Sequence, residues 1–439
     1  MSTLNVDKVD PSTGTALELG TSGDTITVPT GAGLTVTDEV KTNKVSPATG
    51  TAFALGDSGD TFTVPSGATI VNSGTATGFG ITQSSFLPTA NPLIINGNMA
   101  VAQRSTSVTG NTTGGYTTVD RMQTQIAGIG TWTLAQETLT SGAAFNDGFD
   151  KAFRMDCTTA DASPSAADYL LVKYSLEGQD VQMFKKGTSN AETYTLAFWV
   201  KSNKTGTAQV NMQDDNTRMC SATYTISAGD TWEHKVLNFA ADTSGAIDND
   251  NTAGLKMDFW LDAGSNYTGG TAPTAWEARV NTDESANDLA LADSTSNDWA
   301  ITGLQLEVGT YTSADLPPFR YESFSDNLQR CYKYYFKITR DAVDVTLGPT
   351  RWYNSTSVGG FFNFPVPMRD NPTMTFNTGT NYWNISGSNT NTYFDELIVN
   401  DTGKTTCGWW KGSESGTQGD GGLLMTGSGS AIGVFDSEL

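Results

Sequence analysis

The first eighty residues contain an internal repeat with a period of 36 residues. Residues 8–36 and 44–72 align without a gap, and 18 of the 29 aligned positions are identical. The first copy holds two short strand candidates, at 15–19 and 25–28, which a Gly-rich turn with the sequence SGDT connects. Each copy has too few apolar side chains to bury a core of its own. The repeat therefore predicts a thin β-stalk over residues 1–85 that must obtain its burial elsewhere.

Neighbouring copies of the chain are the simplest source of that burial. Three chains wound about one axis allow thin β-units to share an apolar seam, so we expect a homotrimer. The alternative reading is a flexible linker rich in Gly and Thr, which would need no partner chain.

Composition supports a β fold for the rest of the chain as well. Gly accounts for 46 of the 439 residues, and only 16% of residues are charged, so long helical bundles and coiled coils are excluded. The net charge of −22 disfavours nucleic acid and anionic lipid as partners. We find neither an apolar run long enough for a membrane span nor a signal-peptide pattern, so we expect synthesis in a host cytoplasm and no membrane insertion.

Metal and cofactor chemistry has few candidate residues. Four cysteines without CxxC spacing and a single histidine, His234, argue against zinc sites and His-based catalytic triads. Asp242, Asp248 and Asp250 lie in one acidic loop that offers oxygen ligands. This loop predicts either a structural Ca²⁺ or only a solvated turn. We otherwise expect no cofactor, no metal and no catalytic residue.

Two β-rich regions follow the repeats. About nine alternating segments between residues 92 and 308 predict a jelly-roll β-sandwich over residues 91–338. We expect this sandwich to end in a helix at 325–338, because Leu328, Cys331, Tyr332 and Tyr335 follow helical spacing. Residues 341–439 alternate strand candidates with long polar loops, which predicts a distal β-sandwich-like domain that presents its loops for recognition.

Alternation also assigns some single side chains of the jelly roll. Trp199 and Trp260 are expected in its core. Arg104 and Arg121 are expected to form ion pairs with Asp120 or Glu307 rather than to touch a ligand.

The distal region contains paired aromatic residues next to amides. Sugar-binding surfaces need flat rings that stack on a pyranose and polar groups that hydrogen-bond its hydroxyls. Adjacent strand residues point to opposite faces, so one ring of each pair should be buried and the other exposed. The alternative is that all rings pack inside the sandwich or at a trimer interface. The candidate ligand residues are Trp352, Tyr353, Tyr382, Trp383, Asn384, Trp409, Trp410 and Lys411.

Three segments of the middle region resemble a module common in phage tail-fibre proteins. They are NPLIINGNMAVAQRSTSV with VDR (91–108 and 119–121), LEGQDVQMF with TLAFWVKSNKTGT (176–184 and 195–207), and ITGLQLEVGTYTSADLPPFRYESFSDNLQRCYKYY (301–335). The SGDT repeats are similar to the N-terminal repeats of tail fibres in phages of marine bacteria. The resemblance implies a galactose-binding-like jelly roll in a trimeric virion fibre.

The resemblance also implies a function and partners. The N-terminus would attach to a tail or capsid protein of the particle, and the distal domain would adsorb to a host cell-surface polysaccharide. A capsid-attached decoration fibre and a fibre that depolymerises the polysaccharide are the alternatives. Enzymatic activity is not expected, because Asp395 and Glu396 are the only adjacent acidic pair of the distal region and neighbouring strand side chains diverge.

Overall fold

The computed structural model describes residues 92–215, 217–339, 345–387 and 391–439. These residues fall within one compact unit, residues 81–439. The stalk predicted for residues 1–85, with its repeats at 8–36 and 44–72, lies outside the described residues. The homotrimer inferred from those repeats therefore stays a prediction.

The elements of the first sandwich lie between residues 107 and 308. In chain order they are β1 Ser107–Asn111, β2 Gly114–Tyr116, β3 Gln123–Ala127, β4 Thr131–Thr138, α1 Ala143–Asn146, β5 Lys151–Thr159, β6 Tyr169–Glu177, β7 Tyr194–Lys201, β8 Gly206–Asp214, β9 Arg218–Ile226, β10 Glu233–Phe239, β11 Ala253–Ala263, β12 Glu277–Ala278 and β13 Asp298–Val308.

These strands form two antiparallel sheets around one core. The first sheet has the order β1-β4-β5-β13-β7-β10, and the second has the order β12-β9-β8-β11-β6-β3-β2. Phe198 of β7 and Phe259 of β11 meet across the core with ring centroids 5.2 Å apart. The all-β sandwich that the alternating pattern predicts is thus confirmed.

Two tryptophans of this sandwich lie on outer faces instead of in the shared core. Phe198 and Phe259 point inward, so their neighbours Trp199 and Trp260 point outward. Trp199 is half-buried and stacks near His234, with ring centroids 5.0 Å apart. Trp260 is buried in a separate small cluster. Alternation shows only that neighbouring side chains of a strand point to opposite faces. Which of the two lies in the core depends on which face the opposite sheet covers.

A helix and a second sandwich complete the described chain. Their elements are α2 Phe324–Tyr332, β14 Tyr335–Thr339, β15 Thr346–Asn354, β16 Ser357–Asn363, β17 Thr373–Phe376, β18 Trp383–Ser386, β19 Asn391–Phe394, β20 Ile398–Thr402, β21 Thr406–Gly412, β22 Gly421–Thr426 and β23 Ile432–Asp436.

The strands of the second sandwich also form two antiparallel sheets. A small sheet, β14-β23-β17, packs on a sheet with the order β19-β18-β22-β15-β16-β21-β20. Phe435 of β23 lies at the centre of the contact and meets Phe362 of β16 with ring centroids 6.2 Å apart. This core is separate from that of the first sandwich. The domain bounds 91–338 and 341–439 stay predictions.

The helix prediction for 325–338 is correct for its first half and wrong for residues 333–338. Helix α2 begins after Ser323, whose hydroxyl accepts a hydrogen bond from the Asp326 backbone N–H at 3.1 Å, and ends at Tyr332. The next residues form β14, which pairs with the C-terminal strand β23. A pairing partner about a hundred residues away overrides the local helical spacing. Among the described residues, no helix combines the length and apolar character needed to cross a membrane.

The C-terminal end of the chain docks against the first sandwich. Glu438 forms ion pairs with both Arg104 and Arg121, and Asp436 forms a further one with Arg104 at 2.9 Å. The Arg121 guanidinium is buried and lies 3.5 Å from the ring centroid of Tyr334. The ion-pair partners expected for these arginines, Asp120 and Glu307, are therefore replaced by C-terminal residues.

Candidate ligand-binding face

The distal aromatic pairs divide between the core and the surface as alternation predicts. Trp352 is 6% exposed and its neighbour Tyr353 is 52% exposed, while Trp409 is 1% exposed and its neighbour Trp410 is 37% exposed. The outer face of the large distal sheet therefore carries the second ring of each of these pairs.

Half of the candidate ligand residues are inaccessible to a ligand. Trp352, Trp383, Asn384 and Trp409 are buried, and Trp409 stacks near Phe394 with ring centroids 6.4 Å apart. Buried rings stabilise the sandwich and offer no face to a ligand. The candidate set is thus reduced to Tyr353, Tyr382, Trp410 and Lys411.

Tyr353 and Trp410 are brought together by the strand register. Gly359 of β16 lies between Arg351 of β15 and Trp410 of β21. Tyr353 follows Arg351 at an irregularity in the pairing of β15 with β16. Tyr382 precedes β18, which β22, β15 and β16 separate from β21, so it does not share this site.

Two glycines allow both rings to lie against the sheet. A methyl group at Gly359 would lie 2.7 Å from Cε2 of Tyr353, and one at Gly412 would lie 2.8 Å from Cζ3 of Trp410. Each ring therefore occupies the space that a side chain on the neighbouring strand position would need. Both rings thus lie close to the backbone of the sheet and remain exposed to solvent. We call these two rings the aromatic platform.

Four further apolar side chains are exposed on this sheet, and the pattern of paired aromatic residues does not indicate them. Register places them on the same outer face, and single residues of strands carry no local signal beyond alternation. Together with Tyr353 and Trp410, they make six of the eleven large apolar side chains that are exposed in the described part of the chain. The four are Phe361, Tyr393, Ile398 and Leu423. Ile398 pairs with Trp410, whereas Tyr393 of β19 is separated from β21 by β18, β22, β15 and β16 and lies away from the platform.

Polar groups border the platform. Cζ of Arg351 lies 6.0 Å from the ring centroid of Tyr353. An Asp401 carboxylate oxygen fills the space above Gly408, with which Asp401 pairs in β20 and β21. Lys411 pairs with the buried Val358 and so does not share the face of Trp410; its ammonium contacts Glu396 at 3.2 Å. The face thus combines exposed rings with a donor, Arg351, and an acceptor, Asp401.

In the acidic loop that could bind Ca²⁺, Asp242 forms ion pairs with Lys186 and Arg218. Lys186 Nζ lies 2.9 Å from Asp242, and Arg218 Nε lies 2.8 Å from it. Burial alone would raise the pKa of Asp242, but hydrogen bonds from Arg218 and Lys186 outweigh it and lower that pKa. Within the described ranges, no group of three or more His, Cys, Asp or Glu side chains is arranged to hold a metal ion. The structural Ca²⁺ stays a prediction.

Comparison with known proteins gives only remote structural likenesses. No protein-family model matches the chain, and no curated protein matches it. The enzymatically active domain of tailspike protein 4 of bacteriophage CBA120 is 11% identical with a TM-score of 0.26, over 49% of this chain and 21% of that one. The chain thus spans about a fifth of that domain.

Carbohydrate-binding modules match the chain with similarly low sequence identities and TM-scores. The family 11 module of a cellulosomal cellulase of Clostridium thermocellum is 10% identical with a TM-score of 0.23, over 47% of this chain and 98% of that one. A family 61 module in complex with β-1,4-galactotriose is 8% identical with a TM-score of 0.24, over 50% of this chain and 99% of that one. Likenesses of this size carry no argument about function.

Proposed function

We propose that the chain is a phage tail-fibre protein whose distal sandwich binds a glycan on the host cell surface. The observation that supports this function is the aromatic platform, in which the exposed rings of Tyr353 and Trp410 lie against the sheet beside Gly359 and Gly412. Exposed rings in this orientation suit the apolar face of a pyranose.

The border of the platform suits the hydroxyls of the same ligand. Arg351 donates hydrogen bonds and Asp401 accepts them, so both kinds of hydroxyl interaction are available at the edges. The net charge of −22 opposes binding of nucleic acid or of strongly anionic polymers. A neutral or weakly charged polysaccharide is therefore the partner that this surface favours.

The repeat region supports the fibre part of the proposal. A trimeric stalk over residues 1–85 would hold three distal platforms on one particle-bound fibre, with its N-terminus on a virion protein. Linked sites raise avidity by about 10² to 10⁴ over a single site. Weak individual stacking contacts would then suffice for adsorption.

Substitution of both platform rings tests the proposed function. We expect the double variant Tyr353→Ala/Trp410→Ala to lose about 2 kcal/mol per site, because each ring contributes about 1 kcal/mol. This loss corresponds to about thirtyfold weaker single-site binding. Retention of the full-length protein on host cells, measured by flow cytometry, provides the readout.

Phe145→Ala serves as the matched control, because Phe145 is also exposed but lies on the first sandwich. The control should bind as the unaltered chain does. Native mass spectrometry of each variant separates the alternatives: if the double variant binds cells normally and changes oligomeric state instead, the platform is a contact between copies and the proposal fails.

A further inference from the structure

The outer face of the second jelly-roll sheet is polar although most of it is buried. Strand register aligns one side chain from each of five neighbouring strands into a continuous row across this face. Outer faces of sheets normally meet water, and a buried polar row needs partners. The members of this polar row are Gln123, Lys173, Asp258, Asn211 and Ser221.

An aromatic cluster adjoins the polar row. Trp260 is the next residue of β11 on the same face after Asp258, and it is 2% exposed. Its ring centroid lies 5.9 Å from that of Tyr169 and 5.3 Å from that of Tyr267. Tyr169 belongs to the sheet, whereas Tyr267 belongs to the segment that covers it. The face below the segment therefore contains both rings and hydrogen-bonding groups.

The covering segment, residues 264–287, binds the sheet largely through its own backbone. Gln209 Nε2 donates to the carbonyl of Asp283 at 2.7 Å, and Asn211 Nδ2 donates to the carbonyl of Glu284 at 2.8 Å. Two amides of the sheet thus bind oxygen atoms of a peptide. A saccharide hydroxyl or ring oxygen offers the same amides an equivalent acceptor.

Four polar atoms at this contact have no hydrogen-bond partner. They belong to residues that are nine-tenths or more buried, and they come from both the sheet and the segment. Such groups are costly unless a ligand or water satisfies them. They comprise Asp258 Oδ1, Trp260 Nε1, Glu284 Oε2 and Ser285 Oγ.

The nearest charges do not remove this deficit. Lys173 Nζ lies 3.7 Å from Asp258 Oδ1, which is too long for a hydrogen bond. Arg279 contacts the other oxygen of Glu284. The contact between segment and sheet therefore leaves one donor, Trp260 Nε1, and two carboxylate acceptors without hydrogen-bond partners.

We propose that this face is a second saccharide-binding groove, which segment 264–287 covers in the present structure. The ligand is a neutral or amino sugar, since the carboxylates of Asp258 and Glu284 repel phosphate and other anions. On binding, the sugar takes the place of Tyr267 above Trp260, and its hydroxyls replace the segment carbonyls at Gln209 and Asn211. This groove is independent of the aromatic platform.

Saccharide binding by the groove can be measured on full-length protein from which the platform rings have been removed. The starting protein, called the background, is Tyr353→Ala/Trp410→Ala, and the probe is a printed array of neutral and amino oligosaccharides. We expect residual binding in this background. Tyr267→Ala should strengthen it about tenfold because the competing ring is gone, whereas Tyr267→Phe should leave it unchanged.

A loss-of-binding variant provides the reciprocal test. Gln123 and Gln125 are half-buried on β3 at the edge of the groove and carry no charge, so Gln123→Ala/Gln125→Ala should fold and should weaken residual binding about tenfold. Hydrogen exchange of residues 264–287 should become faster when a bound oligosaccharide displaces the segment. If no oligosaccharide on the array binds the background variant and exchange in the segment does not change, the unpartnered atoms bind only water and the proposal is wrong.

Failure of this proposal is distinguishable from failure of the proposed function. Host-cell binding that persists in Tyr353→Ala/Trp410→Ala and disappears with Gln123→Ala/Gln125→Ala would support the groove against the platform. The reverse pattern would support the platform and overturn the groove.

Discussion

The two sandwiches contain sheets of similar architecture whose outer faces differ in chemistry. Each has a seven-stranded antiparallel sheet with one face in a hydrophobic core. The outer face of the distal sheet carries uncovered rings such as Tyr353 and Trp410, whereas the outer face of the jelly-roll sheet carries buried polar groups such as Asp258 and Asn211. The inner faces make the fold, so the outer faces are free to differ in chemistry and to serve different ligands.

Buried ion pairs of Glu438 with Arg104 and Arg121 connect the C-terminal end of the second sandwich to the first. Glu438→Ala leaves Arg121 buried without its carboxylate, and breaking such a pair costs about 3 to 5 kcal/mol. We expect this substitution to be the most destabilising of those considered. Denaturant unfolding followed by tryptophan fluorescence should show both sandwiches destabilised.

Asp420→Ala is the control for this substitution, because Asp420 is exposed on the distal sandwich. It should change the free energy of unfolding by less than about 0.5 kcal/mol. Unchanged stability of Glu438→Ala would show that the two sandwiches are held together by other contacts.

A change of pH should affect the stability of the first sandwich more than that of the distal sandwich. Burial raises the pKa of Asp262 to about 7 and that of Asp258 to about 6, both from an ordinary value of 3.8. Between the unfolded and folded pKa values the folded chain binds more protons at these two groups, so their contribution to stability is greatest below pH 4 and falls as pH rises towards the folded pKa values. We expect the two groups together to cost about 4 kcal/mol of stability between pH 5 and pH 7.5, at about 1.4 kcal/mol per pKa unit.

Hydrogen exchange at both pH values, corrected for the intrinsic pH effect, checks where this loss arises. Residues 264–287 above Asp258 should be better protected at pH 5, and the strands of the distal platform should show less change. Asp262→Asn should reduce the dependence, since an amide does not titrate. A melting temperature that rises from pH 5 to pH 7.5 would contradict this expectation.

The smallest effect concerns the orientation of a single ring. A methyl group at Gly412 meets only atoms of Trp410 within 4 Å among its three nearest contacts, so Gly412→Ala should tilt that ring away from the sheet. We expect glycan binding to weaken about threefold to fivefold, a change of about 1 kcal/mol or less, with little loss of stability.

Gly421→Ala offers the matched comparison on the same sheet face. Its nearest atom would be the Thr350 carbonyl oxygen at 3.7 Å, an ordinary contact distance. This variant should bind as the unaltered chain does. Equal binding by the Gly412 and Gly421 variants would mean that the position of the Trp410 ring against Gly412 is not needed.

Sequence reasoning predicted the classes of structure better than the identities of the site residues. Alternation correctly separated Trp352 from Tyr353 and Trp409 from Trp410, because a period of two is a local property of a strand. It could not show that Gly359 brings Tyr353 beside Trp410, since that contact depends on the register of three strands. The exposed Phe361 and Leu423 were missed for the same reason.

Long-range pairing explains the remaining differences. Tyr335 follows the spacing of α2 but lies in β14, because β23 pairs with it and Phe435 of β23 stacks on the neighbouring Phe336. Glu438 is 317 residues from Arg121, so no local pattern indicates their contact. The covering of Asp258 by residues 264–287 is likewise invisible in a pattern that shows only a polar residue on a strand.

The amino-acid sequence alone determined the repeat near the N-terminus, the all-β character and the division of strand residues into two faces, because each is a local or compositional property. The tertiary structure decided which faces are covered, which rings stay open and where the C-terminal carboxylates bind. Those outcomes depend on strand register and on contacts between distant segments, whose energies exist only once the chain has folded.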